Sequence, residues 1–264
     1  MNAGKLLTLV QKEWLELLRS FKLIWVPLVF VVLGIMQPVT SYYMPVILEK
    51  AGNMPEGTVI EIPLPSGAQV LADTLSQFGV MGLLILALSF MGTVSGERNS
   101  GATSLVLVKP ISFGTYIAAK WISMMTLTWG ALLLGYAASW YYTWLLIEQV
   151  AFGPFLLSYI LFGLWFTFIL TGTLLFSTLL RSAAGAAFSS LGLAVLLSLL
   201  AGLMPKYLSW SPGSITGSAY QAVQSLEGFD ALASFGWSIG ITVLLIGAGL
   251  IGSAAMLRRS PALD

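Results

Sequence analysis

The chain has 264 residues, 57% of them hydrophobic and only 9% charged, with 12 basic residues against 11 acidic ones. A soluble domain would carry roughly a quarter charged residues, so this composition excludes a solvated globular protein and points to a polytopic membrane protein. Neither Cys nor His occurs, which removes disulfides, the usual zinc ligands and the commonest general base.

Residues 1–22 come first. Leu7, Val10, Trp14, Leu17 and Phe21 recur at intervals of three and four and form one stripe of a helix, with Lys5, Thr8, Lys12, Glu16 and Arg19 opposite. Basic residues facing Leu, Trp and Phe suit an amphipathic helix lying in the membrane interface. Two roles fit it: a passive anchor, or a lever gripped by a cytoplasmic partner. Charges persist to Lys22 and the apolar run after it is too long for an h-region, so a cleavable signal peptide is not expected.

Apolar runs then recur at about 23–44, 76–95, 121–146, 154–180, 184–204 and 234–257. Each has the roughly 20 residues that a helix needs to cross the hydrocarbon. The expected fold is an all-α membrane protein with six transmembrane helices in a single domain, 1–264. With the N-terminus in the cytoplasm, ten Lys and Arg fall inside, and only Lys50 and Lys206 fall outside. Glu49, Glu56, Glu61, Asp73, Glu148, Glu227 and Asp230 partition outward. That bias places both termini in the cytoplasm of a cell-membrane protein.

Two long outer loops are expected. The first, 45–75, is proline-rich and acidic; the second, 205–233, is amphipathic and suited to dipping back into the outer leaflet. Small residues cluster at Ala183–Gly192 and at Gly247–Ala254, where helices can approach closely, either within the chain or between two copies. None of the six runs holds a mid-membrane ionisable side chain, and no G-x-x-x-x-G-K-[ST] appears; Gly4-Lys5-Leu6 is the nearest approach. For a transporter, these absences point to a separate ATPase as the source of energy.

The polar island SGERNSGATSLVLVKPISFGTYIAAK, residues 95–120, lies between two uncharged runs. It is longer than a turn requires, and its apolar middle could form a short helix ending near Pro110 and Gly114. Gly96-Glu97-Arg98 with Gly101, Thr103, Pro110 and Lys120 resembles the first cytoplasmic loop of ABC-2 type permeases, the membrane subunits of one class of ABC transporter. The Lys12-Glu13-Trp14 start and the six-run topology extend the resemblance over the whole chain. Ala102 and Phe113 depart from the family's usual pattern.

The resemblance implies a type V (ABC-2) exporter-like fold in which loop 96–120 couples to a nucleotide-binding subunit. Glu97, Arg98, Gly101, Thr103, Leu105, Val106, Leu107, Lys109 and Pro110 would meet that partner, and Lys12, Glu13, Trp14, Glu16 and Arg19 would lie on the connecting helix that braces the loop. Glu97 and Arg98 would pair with the ATPase, or with each other and the connecting helix. ATP and Mg would be held by the partner, with no cofactor, metal or catalytic residue in this chain. A second permease copy or homologue and membrane lipid are the other partners, and nucleic acid is not one. An amphipathic or apolar cargo suits the uncharged path. A non-transporting scaffold or sensor that recruits an ATPase is the alternative.

Overall fold

A computed structural model of the chain describes residues 3–51, 64–101, 111–224 and 235–259. All regular structure among them is helical. The order is α1 (Ala3–Arg19), α2 (Lys22–Ala51), α3 (Gly67–Gln77), a π-helical turn (Phe78–Gly82), α4 (Leu83–Phe90), α5 (Ser95–Asn99), α6 (Phe113–Leu146), α7 (Phe152–Leu179), α8 (Ala183–Leu203), α9 (Pro205–Leu208), α10 (Ser214–Gln224) and α11 (Gly236–Arg259). Six stretches are long and apolar enough to cross a membrane: Lys22–Ile47, Gly67–Asn99, Phe113–Leu146, Phe152–Leu179, Ala183–Leu203 and Gly236–Arg259. The protein is a multi-pass membrane protein.

The bundle is built around α7. In the most apolar window of α7, 67% of residues are buried, against 17% in α11, which puts α11 at the rim. The second small-residue cluster is explained there: Gly249 faces the Thr171 methyl and Gly252 faces Leu175, so α11 lies close along α7. Several polar groups inside the bundle find partners, as a low-dielectric surrounding favours. Trp121 and Trp129 donate to the hydroxyls of Thr171 and Thr167, at 2.9 and 3.0 Å. The Tyr136 and Ser158 hydroxyls bond at 2.8 Å.

α2 and α6 make the tightest backbone approach. A Cβ on Gly34 would overlap the Gly135 carbonyl oxygen, and one on Gly135 would come 2.5 Å from the Phe30 carbonyl oxygen. Only glycine fits at either position.

Two boundaries differ from the sequence expectation, and for the same reason. The apolar runs stop at charged residues, but the helices run through them. The second span begins at Gly67, capped by the Ser66 hydroxyl, which accepts from Gln69 N at 3.2 Å. Asp73 therefore lies within the apolar stretch, two turns from its start, and not in the preceding loop. The third span begins at Phe113, capped by Ser112, whose Oγ accepts from Thr115 N at 3.2 Å. Lys120 is thus two turns inside α6 and not in a loop.

Within the expected loop 205–233, α10 buries Ile215, Ala219, Ala222 and Val223 against α7, α3 and α8. Its Tyr220 ring lies 6.4 Å from that of Phe162. Phe162 is ten residues into α7, about 15 Å along the helix from Phe152 at 1.5 Å per residue. α10 therefore penetrates well below the end of α7.

Candidate functional site

α1 ends where Ser20 and Phe21 break the helix. Phe21 takes the left-handed conformation, φ 57°, unusual for a residue with a side chain. The break turns α1 against α6 while α2 enters the bundle. The face that α1 buries is not purely apolar: Glu13 and Leu17 are its buried residues, whereas Leu7, Trp14 and Phe21 of the apolar stripe stay exposed.

Glu13 meets Lys120, whose side chain is only 1% exposed. Lys120 Nζ donates to both Glu13 oxygens, at 3.0 and 3.1 Å, and lies 2.9 Å from Glu97 Oε1. It also sits over the Tyr116 ring, 5.1 Å from the centroid, one turn earlier on the same face of α6. Glu97 accepts from Lys12 at one oxygen and from the Tyr116 hydroxyl at the other. Lys12 reaches Glu13 as well, at 3.0 Å, and Glu16 at 3.4 Å. Burial pulls the Lys12 ammonium down, but the bond to Glu97 and the Glu13 charge outweigh it and hold the group above its ordinary range.

Glu13, Glu97, Lys12 and Lys120 therefore form a compact, charge-balanced core that ties α1, α5 and α6 together, with the exposed Glu16 at its edge. Isolated buried charges are very costly, and a pair recovers that cost only when its remaining hydrogen bonds are made. Here they are made. Glu13, Glu16 and Glu97 offer oxygens close enough together to share a metal ion, but the Lys12 ammonium already touches all three. The donor set suits the lysine ammonium better than a metal ion.

α5 is fixed to α7 on its other side. Ser177 Oγ accepts from Val94 N and Ser95 N, both at 3.1 Å, and donates to Met91 O at 2.9 Å. Arg98 donates to Thr178 O at 3.1 Å, satisfying a carbonyl at the C-terminal end of α7, where positive charge is also favoured. Asn99 donates to Arg181 O at 3.0 Å. Gly101 follows with φ 73°, a conformation that glycine adopts without penalty. Lys22, at the start of α2, donates to Ser89 O at 2.7 Å and links α2 to the end of α4.

The structure thus brings together Lys12, Glu13, Glu16 and Glu97. Arg98 faces α7, while Trp14 and Arg19 are exposed on α1. Thr103, Leu105, Val106, Leu107, Lys109 and Pro110 lie outside the described residues. Sequence reasoning missed Tyr116 and Ser177 and placed Lys120 in the motif without a partner. The Tyr116–Lys120 spacing was the available signal, since a cation one turn after a tyrosine on an apolar helix needs a counter-charge.

The profile of the ABC-2 family transporter proteins matches residues 7–251. The chain belongs to the ABC-2 transporter family. It is also 37% identical over 254 residues to the uncharacterized transmembrane protein YxlG of Bacillus subtilis (strain 168), covering 96% of this chain and 97% of that protein. As an ABC-2 membrane component, the chain is of a kind that typically lacks a catalytic site and generally works with an ATPase partner. The charge cluster joins the Lys12-Glu13-Trp14 segment to Gly96-Glu97-Arg98, both within the residues that the family profile matches.

Proposed function

We propose that the chain is the permease half of an ATP-driven exporter. A separate nucleotide-binding subunit holds ATP and Mg, and a second permease copy or homologue completes a dimer of type V architecture. The single observation that supports this most is the Glu13–Lys120–Glu97–Lys12 cluster. It joins the amphipathic helix, the start of the ABC-2 loop and a spanning helix into one mechanical unit.

The distribution of ten Lys and Arg against two supports a cytoplasmic position for the α1 end and for both termini. With that orientation, α1 lies along the inner interface with Trp14, Leu18 and Phe21 toward lipid. Closure of paired nucleotide-binding subunits then pushes on α5 and residues 102–110. Glu97 passes the displacement to Lys12 on α1 and Lys120 on α6, and Arg98 passes it to α7. The cargo is amphipathic or apolar.

The test uses the permease purified with its nucleotide-binding subunit in nanodiscs. Glu97→Gln should lower cargo-stimulated ATPase activity roughly tenfold, within the usual range of coupling energies, when rates are compared per mole of folded, monodisperse complex. Arg98→Ala should act in the same direction. Unchanged stimulation in both variants would contradict the coupling role.

A further inference from the structure

Asp73 stands apart from the charge cluster. Its neighbour Thr74 shares a hydrogen bond with Ser139 of α6 at 2.8 Å. Tyr141, Tyr142 and Trp144 lie beyond Ser139 toward the end of α6 at Leu146, and Tyr141 and Trp144 are exposed. Such aromatics mark headgroup depth, so Asp73 sits at the inner edge of that belt. The residue is exposed, and its carboxylate has no ion-pair partner among the described residues.

Ser76, three residues on and on the same face of α3, lines a cavity of about 1040 Å³. This volume matches the upper end of small-molecule sites, about 300–1,000 Å³. The cavity runs down past Val80 and Leu84 to Trp165, with Val195 of α8 and Tyr220 of α10 on its other walls. No charged side chain lines it among the described residues. The π-helical turn supplies Gly79 and Val80 to the wall, a feature often found at functional sites. An apolar cavity with hydroxyls, its wall starting at Ser76 one helical turn from a carboxylate that has no ion-pair partner among the described residues, suits an amphiphile with a positive head.

We propose that this cavity seats an amphiphile with an ammonium headgroup, its apolar body among Val80, Leu84 and Trp165 and its head paired with Asp73. The proposal rests on the reading of the chain as a permease for amphipathic cargo and makes that cargo cationic. An anionic amphiphile is repelled at the rim. An uncharged one gains only the burial of its tail.

The experiment measures equilibrium binding to the full chain in nanodiscs of uncharged diglucosyl diacylglycerol, without nucleotide. The probes are dodecyltrimethylammonium and octaethylene glycol monododecyl ether, which share a tail and differ in charge. The wild type should prefer the cationic probe by about tenfold, the size of a partly screened charge pair. Asp73→Asn should abolish that preference and leave the uncharged probe unchanged, while Asp73→Glu should keep it. Val195→Trp should weaken both probes. Equal binding of the two probes by the wild type would overturn the proposal even if no variant folds, and so would an unaltered preference in Asp73→Asn. Adding phosphatidylcholine assigns the source: competition identifies a resident zwitterionic lipid, and its absence identifies an amphiphile from elsewhere. Because no ATPase enters this assay, its failure leaves the permease reading untouched.

Discussion

Lys120→Met should destabilise the folded protein by about 3–5 kcal/mol, the usual loss when one member of a buried ion pair is removed. The variant leaves Glu13 paired only with Lys12 and deprives Glu97 of its closest buried cation. Thermal unfolding followed by the loss of monodisperse protein in detergent checks it. The double variant Lys120→Met with Glu13→Gln should recover part of the loss, because it removes the uncompensated carboxylate along with the ammonium. Equal stability of Lys120→Met and the wild type would mean that the cluster is hydrated and weak.

Gly34→Ala should be nearly as damaging. The added methyl meets the Gly135 carbonyl, which is backbone and cannot rotate aside. α2 must therefore separate from α6 along their tightest seam. A loss of about 3 kcal/mol is expected, the upper part of the range for overpacking. Gly130→Ala is the matched control: it lies on the same α6, and nothing lies within 4 Å of its added Cβ. It should unfold with the wild type. If both alanine variants behave alike, the close α2–α6 contact is not a feature of the folded protein.

Much of the fold was legible because spanning helices are set by length and apolarity, and the runs carry both without ambiguity. What was misread were the helix ends. Asp73 and Lys120 ended the apolar runs in sequence but not the helices in space. The cap hydroxyls of Ser66 and Ser112 lie further out. Asp73 tolerates its position because it reaches the headgroup region, and Lys120 because Glu13 and Glu97 neutralise it.

The site was legible only as a motif. Glu13 falls at the spacing of the buried face, three residues after Val10 and four before Leu17, yet as a charge it was not counted on an apolar stripe. Its partner lies 107 residues away, and no local periodicity reports a contact at that separation. Arg98 shows the converse. A motif arginine expected at a partner or beside Glu97 is used to cap α7.

The most direct test of the account is purification of the tagged chain from its native membranes in mild detergent, with the stoichiometry of co-purifying subunits measured. The account predicts a nucleotide-binding subunit at about one per permease chain. A monodisperse preparation with intact helices and no nucleotide-binding subunit would contradict it, leaving the six-span bundle without the motor that its charge cluster is proposed to serve.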